Sequence, residues 1–320
     1  MANYKVVNTD QLDADLKTVA NAIREKSGTS DNMSFPDGFA DTVAGIPSAD
    51  TSVEDGIITR TITEYTNNRV STIATWAFYN LSTIRSVNFP ACINIGNSAF
   101  SACRNLSYVS FPACTSIGLG VFNNCTSLTS VNFPACTNIG SSAFQNCTYL
   151  ASVSFPACIS IGNSAFYPCT SLTSVNFPAC TVVGSTAFNG CTRLSYVSFP
   201  SCISISSAAF RNCSGLISTN FPMCTTIGTS AFQNCTSLSS VSFPACTSVG
   251  SGAFLSCTGL TIFVLSGSSI PRLHNSNAFN NTPMSTTGYF YVPSSLIAAY
   301  QTATNWAYFS SRFSAIEDLV

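Results

Sequence analysis

Hydrophobic positions recur with a fixed 22-residue period through the middle of the chain. A phenylalanine repeats at this spacing from Phe78 to Phe254, and a leucine repeats at the same spacing from Leu106 to Leu260. A unit of this length cannot bury its apolar side alone, so neighbouring units must stack and share a core. The pattern therefore predicts a solenoid of stacked coils.

The spacing within one unit predicts its local structure. In the unit that begins at Leu128, the sequence L-x-x-V-x-F alternates as a half-buried β-strand does. Proline follows Phe133 and ends that strand, because it has no N–H to donate to a ladder. We expect a second short extended segment and its turn at 139–140, and a compact turn at 143–144. Each coil should thus add one strand to a ladder along one face.

These motifs resemble a known repeat family. The pattern L-x-x-V-x-F-P, followed by I-G-x-x-A-F and C-t-s-L, resembles the BspA-like subclass of leucine-rich repeats over about residues 70–265. Departures are small: Ser206 replaces the turn glycine, Thr219 the strand valine, and Val121 the alanine before phenylalanine. The resemblance implies a β-rich solenoid of about nine coils.

The pattern divides the chain into three parts. Residues 1–56 form a short helical segment with a linker, 57–265 the leucine-rich repeat solenoid, and 266–320 a mixed C-terminal cap. The first coil is degenerate, with Leu81 at a position that cysteine occupies in the later coils. The cap is expected because a solenoid needs a closing unit at its end.

The N-terminal segment differs in kind from the repeats. Leu12, Leu16, Val19 and Ile23 form one apolar stripe of a helix, and Phe39 belongs to a second, shorter helix. Two such helices cannot form a core alone, so we expect them to pack against another chain, as in a homo-oligomer, or against the solenoid. The stretch LKTVANAIREKSGTSDNMSFPDGFADTVAGI is similar to a leader of phage and prophage tail-associated proteins. That resemblance implies a tail or baseplate protein as partner.

Charge is scarce and unevenly placed. Only 8% of residues are charged, and seven arginines but no acidic residue lie between Glu64 and Glu317. Thinly spread arginines argue against nucleic acid as a partner, since phosphate binding needs clustered cations. No secretory signal and no membrane-spanning run is recognised, so we expect synthesis in a host cytoplasm without membrane insertion.

The inventory of reactive groups argues against catalysis. Residues 86–260 contain no histidine, aspartate, glutamate or lysine, which general acid–base chemistry needs. The single histidine, His274, is expected to be a surface or cap residue. No cofactor or metal motif is present, so the chain is predicted to be non-enzymatic, without a cofactor.

The sixteen cysteines form two ladders of eight, which begin at Cys92 and Cys103. Equivalent residues of stacked strands lie about 4.8 Å apart, whereas disulfide Cβ atoms lie near 3.8 Å, so the fit to a disulfide is poor. Zinc sites need four converging ligands rather than a line of thiols. Buried core thiols are favoured, with disulfides and metal ligation as the alternatives.

What remains is an exposed strand surface. The position after the strand valine alternates between asparagine and serine, and Tyr108 and Tyr196 share one position four coils apart. Such a surface suits a host surface glycan or protein, and the alternative is a solvated spacer. The predicted binding residues are Ser86, Asn88, Tyr108, Ser110, Asn132, Asn176, Tyr196, Ser198, Asn220, Arg104 and Arg193.

Two functions are compatible with these features. The leading hypothesis is a phage or prophage tail-associated protein of the tail fibre or receptor-binding type, located in the virion. The alternative is a bacterial cell-surface BspA-like adhesin or a protein-binding leucine-rich repeat protein.

Overall fold

The structure, a computed structural model, describes residues 63–319. They form a β-solenoid of about eleven coils of about 22 residues, two more than the sequence indicates. Each regular coil contributes a three-residue strand and a two-residue strand, and each strand pairs in parallel with its equivalent one coil away. Ser86 lies opposite Tyr108 and Ile95 opposite Ile117, so the pairing register equals the sequence repeat. The predicted solenoid is confirmed.

The regular elements are short. The strands are β1 (Glu64–Thr66), β2 (Thr72–Ile73), β3 (Ser86–Asn88), β4 (Asn94–Ile95), β5 (Tyr108–Ser110), β6 (Ser116–Ile117), β7 (Ser130–Asn132), β8 (Asn138–Ile139), β9 (Ser152–Ser154), β10 (Ser160–Ile161), β11 (Ser174–Asn176), β12 (Val182–Val183), β13 (Tyr196–Ser198), β14 (Ser204–Ile205), β15 (Ser218–Asn220), β16 (Thr226–Ile227), β17 (Ser240–Ser242), β18 (Ser248–Val249), β19 (Ile262–Val264), β20 (Arg272–Leu273), β21 (Tyr289–Val292) and β22 (Phe313–Ala315). The helices are the α-helix α1 (Ile297–Tyr300) and five 3₁₀ segments, Ser276–Phe279, Pro283–Ser285, Ser294–Leu296, Trp306–Arg312 and Ile316–Asp318.

Two sides of the solenoid are bonded along their whole length. The two-residue strands β2 to β20 form one continuous ten-stranded parallel sheet, here called the second face. On the turn side, the N–H groups of Phe144 and Asn146 donate to the carbonyls of Ala165 and Tyr167, at 2.7 and 2.8 Å. Ser142 and Asn146 have φ of 55° and 60°, a left-handed conformation that asparagine tolerates and that makes this turn compact.

The third side, formed by the three-residue strands and here called the strand face, is interrupted. Its strands pair in four groups, β1-β3-β5, β7-β9, β11-β13-β15 and β17-β19-β21-β22. Among the described strands, three successive pairs therefore lack a ladder: β5/β7, β9/β11 and β15/β17, here called the open junctions.

The spacing of the buried phenylalanine rings changes at the same three junctions. Across the open junctions, the phenylalanine rings that follow the strands lie 5.8, 5.9 and 6.0 Å apart. Across the paired junctions from Phe89 to Phe221, the equivalent spacings are 5.3–5.5 Å. The coils are thus spread on the strand face at three places while the second face stays continuous.

The core consists of stacked ladders of side chains. Phe133 and Phe144 from one coil are fully buried, and each stacks on its equivalents in the neighbouring coils. Leu128 and the cysteines Cys125 and Cys136 are also fully buried between them. Loss of a buried phenylalanine side chain from such a core costs about 3–5 kcal/mol, so these ladders dominate stability.

The stack continues beyond residue 265, where the sequence placed the start of the cap. Strand β20 pairs with β18, and β21 pairs with β19. The Phe279 ring stacks on Phe254 at 5.6 Å, although the two are 25 residues apart instead of 22. The three extra residues are accommodated without breaking the ladder. Beyond β21, Tyr300, Trp306 and Phe309 are buried and cover the last coil.

The predicted helical segment at 1–56, with Leu12, Leu16, Val19, Ile23 and Phe39, lies outside the described residues. Within residues 63–319, every helix is too short or too polar to span a bilayer.

Candidate binding face

The strand face presents its side chains as the repeat predicts. In β7, Val131 is buried, whereas Ser130 and Asn132 on either side of it are exposed. The valine anchors the strand in the core, and the two flanking positions of every coil form rows of outward-facing side chains.

The sequence-predicted site residues fall into three classes of exposure. The exposed members are Tyr108, Asn132, Asn176, Tyr196, Asn220, Arg104 and Arg193. The half-buried members are Ser86, Asn88 and Ser110. The prediction that Ser198 is exposed is wrong, because only 7% of this residue is accessible.

The burial of Ser198 follows from strand pairing. Its strand β13 is paired on both sides, with β11 and β15. The longer side chain of Asn220 on the next coil reaches over it, and the Asn220 Nδ2 donates to the Ser198 Oγ at 3.2 Å. The equivalent Ser154 and Ser242 each border an open junction and remain exposed.

Hydrogen bonding depends on the position of a side chain within the coil. The hydroxyl just before a strand donates to a carbonyl of the preceding coil at 3.0–3.3 Å, as Thr115 does on the second face and Thr173 and Ser195 do on the strand face. Within the strand, the outward-facing side chains of Ser130 and Asn132 make no hydrogen bond within the described chain. The in-strand positions of the strand face therefore keep donors and acceptors available for a partner.

A groove of about 350 Å³ lies on the strand face over the open junction β5/β7 and extends to β9. The apolar lining of the groove consists of valines, a phenylalanine and prolines of the three coils. The polar lining consists of Tyr108, Ser110, Ser130, Asn132, Ser152 and Ser154. Sequence reasoning found Tyr108, Ser110 and Asn132 as site residues, but no signal in the repeat indicates that these strands separate.

The two predicted tyrosines have different surroundings. Tyr108 borders the groove and is 57% exposed, whereas Tyr196 lies in a fully paired strand and is 41% exposed. They are separated by four coils, roughly 20 Å at strand spacing, so they cannot form one compact site. Arg104 and Arg193 are exposed in the turns that precede these strands.

Both cysteine ladders lie in the core, as the sequence favours. All sixteen thiols are buried and free. In one ladder each Sγ donates to a carbonyl of the preceding coil, as Cys103 does to Phe78 at 2.9 Å. In the other, each Sγ donates to the carbonyl two residues ahead, as Cys92 does to Asn94 at 3.2 Å. Each thiol thus has a backbone carbonyl as its hydrogen-bond partner.

Burial also makes these thiols unreactive. Loss of solvation raises the pKa of the Cys92 thiol to about 11 and that of Cys103 to about 12. At neutral pH both groups are protonated, and a protonated thiol is neither a nucleophile nor a metal ligand.

Other reactive groups are isolated. Within residues 63–319 no group of three or more His, Cys, Asp or Glu side chains is placed to hold a metal ion. His274 is exposed, with its Nε2 3.1 Å from the Ser248 Oγ on the second face. Among the described residues, His274 has this one hydroxyl contact and no carboxylate partner.

Comparison with solved structures returns repeat proteins of low similarity. A leucine-rich cell surface protein from Faecalibacterium prausnitzii is 21% identical, with 78% of this chain and 82% of that chain covered and a TM-score of 0.43. The Treponema (T. pallidum) leucine-rich repeat protein is 26% identical, with 53% and 72% covered and a TM-score of 0.41. A leucine-rich repeat protein from Bacteroides ovatus is 20% identical, with 79% and 92% covered and a TM-score of 0.31.

No curated protein matches the chain. The family model described as a BspA type leucine-rich repeat region matches residues 59–173 and 159–286. These segments cover well over half of the sequence and coincide with the stacked coils. The chain therefore belongs to the BspA-type leucine-rich repeat family.

Proposed function

We propose that this chain is a non-enzymatic recognition scaffold of a bacterial cell surface, which binds a partner through its strand face. The observation that carries the proposal is the groove on the strand face, which is lined by outward-facing hydroxyl and amide groups. The side chains of Ser130 and Asn132 face outward there and make no hydrogen bond within the described chain. A rigid ladder that holds such groups at fixed spacing suits binding, because little side-chain and backbone freedom is lost on association.

The chemistry of the face supports binding without catalysis. Its outward positions carry hydroxyls, amides and tyrosines, none of which is a general acid or base at neutral pH without a strongly shifted pKa. All sixteen thiols are buried in the core, and burial raises the pKa of Cys103 to about 12, so this thiol stays protonated at neutral pH and is no nucleophile.

The tail-associated hypothesis depends on the segment at 1–56, which lies outside the described residues. It stays a prediction. The family match concerns the repeats, and the repeats favour the cell-surface adhesin or protein-binding alternative.

The face assignment is tested with the full chain, labelled and added to candidate target cells. The variant Ser130→Arg/Ser152→Arg places two bulky charges on the strand face, where both serines are exposed. Its matched control is Asn94→Arg/Asn138→Arg, which alters exposed residues of the second face. We expect the first pair to abolish cell binding and the second to preserve it. Equal loss in both, or no binding by the unaltered chain, would contradict the proposal.

Location is tested by adding protease to intact cells that produce the chain. Digestion without lysis is expected for a surface protein. Recovery of the undigested chain in purified phage particles would instead support the tail-associated hypothesis.

A further inference from the structure

The groove over the open junction β5/β7 combines features that the rest of the strand face does not. It has an exposed aromatic ring, Tyr108, at its edge and hydroxyl or amide groups along three successive coils. None of the side chains that line it carries a formal charge. The site is therefore polar, neutral and partly apolar at once.

The size of the opening limits what can enter it. The phenylalanine spacing rises by less than about half an ångström at the open junction β5/β7, from 5.3–5.5 Å to 5.8 Å. An added peptide strand would need about 4.8 Å on each side, so it cannot insert between the coils. A ligand must lie across the surface of the groove and contact side chains.

Chemistry then narrows the ligand class. A pyranose ring offers an apolar C–H face, which packs on an aromatic ring, and hydroxyls around its edge that both donate and accept. Tyr108 provides the ring, and Ser130, Asn132 and Ser152 provide neutral partners of both kinds. Phosphate, sulfate and carboxylate groups would bind poorly, because no cation lines the groove to offset their desolvation.

Only one open junction has these features. The strands at β9/β11 and β15/β17 carry serine, asparagine, valine and threonine, without an aromatic side chain. The second tyrosine, Tyr196, lies in a strand that is paired on both sides, and its neighbour Ser198 is buried. Among the described strands, an outward-facing aromatic side chain lies beside an open junction at Tyr108 alone.

We propose that the groove at Tyr108 is the subsite for a neutral oligosaccharide. This inference rests on the proposed recognition function and names the ligand class of that same face. Tyr108 stacks on a sugar ring, and the hydroxyls and amide of the next two coils bind its edge.

The test uses the full chain on a printed array of neutral, sialylated and sulfated oligosaccharides, followed by titration calorimetry with the neutral glycan that binds best. We expect Tyr108→Ala to raise its Kd about tenfold or more. Tyr108→Phe keeps the ring and should stay within about threefold.

Tyr196→Ala is the matched control, because it removes the same side chain from the same motif in a paired strand. Its Kd should stay within about twofold of the unaltered chain. Equal losses in Tyr108→Ala and Tyr196→Ala would overturn the subsite. Binding restricted to acidic glycans, or to no glycan on the array, would overturn the ligand class.

A second experiment distinguishes failure of the oligosaccharide subsite from failure of the proposed recognition function. Target cells are treated with periodate, which destroys sugar rings, or with protease before the labelled chain is added. Loss after periodate supports the inference. Loss after protease alone, with the Ser130→Arg/Ser152→Arg effect intact, would leave a recognition scaffold whose partner is a protein and would overturn the glycan subsite.

Discussion

The motif LSYVSFP occurs twice, at 106–112 and at 194–200, and the two copies fold differently. In the first copy, β5 is paired on one side only, Ser110 is half-buried and the groove lies beside it. In the second, β13 is paired on both sides, Ser198 is buried and Tyr196 is less exposed. We call these the open copy and the closed copy.

The nearest cross-strand residues do not explain the difference. Each tyrosine lies between serines on the adjacent coils, and each following serine lies between asparagines. One change beyond these is Val131 in the coil after the open copy against Thr219 in the coil after the closed copy. Whether two coils pair is thus not decided by their outward-facing residues, and identical motifs can present different surfaces.

The largest expected effect is a loss of stability at high pH, and it should be the same beside both copies. Burial raises the pKa of Cys103 and Cys114, beside the open copy, to about 12. Beside the closed copy, it raises the pKa of Cys191 to about 12 and that of Cys202 to about 11. The ordinary value is 9.0, so above that pH the unfolded chain loses thiol protons that the folded chain keeps. Stability is therefore fully present below about pH 9 and falls as the pH rises.

Each such thiol removes about 1.4 kcal/mol of unfolding free energy per pH unit above its unfolded pKa. Because many thiols act together, urea unfolding under reducing conditions should show a steep loss of stability between about pH 9 and pH 10. A midpoint that does not change over this interval would show that the thiols are not buried in either region.

The next effect is a difference between the two copies in the stability lost when their phenylalanine is replaced. Phe199 lies 5.3 and 5.4 Å from the equivalent rings of its neighbours, whereas Phe111 lies 5.5 and 5.8 Å from its own. Both Phe→Ala substitutions should cost about 3–5 kcal/mol, with Phe199→Ala about 1 kcal/mol the more costly because its packing is tighter. Urea unfolding of the two variants measures the difference. Phe133→Ala, across the same open junction, should match Phe111→Ala, and a reversed order would break the comparison.

A smaller effect concerns the valine and threonine. The Thr219 Oγ1 is buried without a hydrogen-bond partner, so Thr219→Val should stabilise the chain by about 1 kcal/mol. The reciprocal Val131→Thr would bury a hydroxyl beside the open copy and should destabilise by about 1–3 kcal/mol. Chemical denaturation of both variants checks the signs. Destabilisation by Thr219→Val would mean that the hydroxyl has a role in the closed copy.

The sequence predicts the solenoid well and the details of its strand face less well. The period of 22 determines the strand register, and the alternation around Val131 determines which side chains face outward. Leu81 in the cysteine ladder indicated core thiols. The 22-residue period does not indicate the continuation of the stack to Phe279, because a three-residue insertion disrupts the period but not the packing.

The open junctions could not be predicted from the sequence. The repeat is nearly the same on both sides of each junction, so its pattern does not indicate which coils pair. For the same reason Ser198 was expected to be exposed: its burial depends on pairing with β15 and on the reach of Asn220, which no local pattern encodes.

Amide hydrogen exchange tests the distinction between open and paired junctions most directly. The N–H groups of Phe89, Phe133, Phe177, Phe199 and Phe243 donate to carbonyls of the next coil at 2.9–3.0 Å. At the open junctions, the N–H groups of Phe111, Phe155 and Phe221 make no such bond within the described chain.

We predict that these three amides exchange at least about tenfold faster than the other five. Phe89 is the internal control, because it lies nearer the end of the solenoid than Phe111 and should still exchange more slowly. Exchange rates that rise smoothly toward both ends, with Phe111 no faster than Phe89 and Phe199, would contradict the open junctions and with them the difference between the two copies.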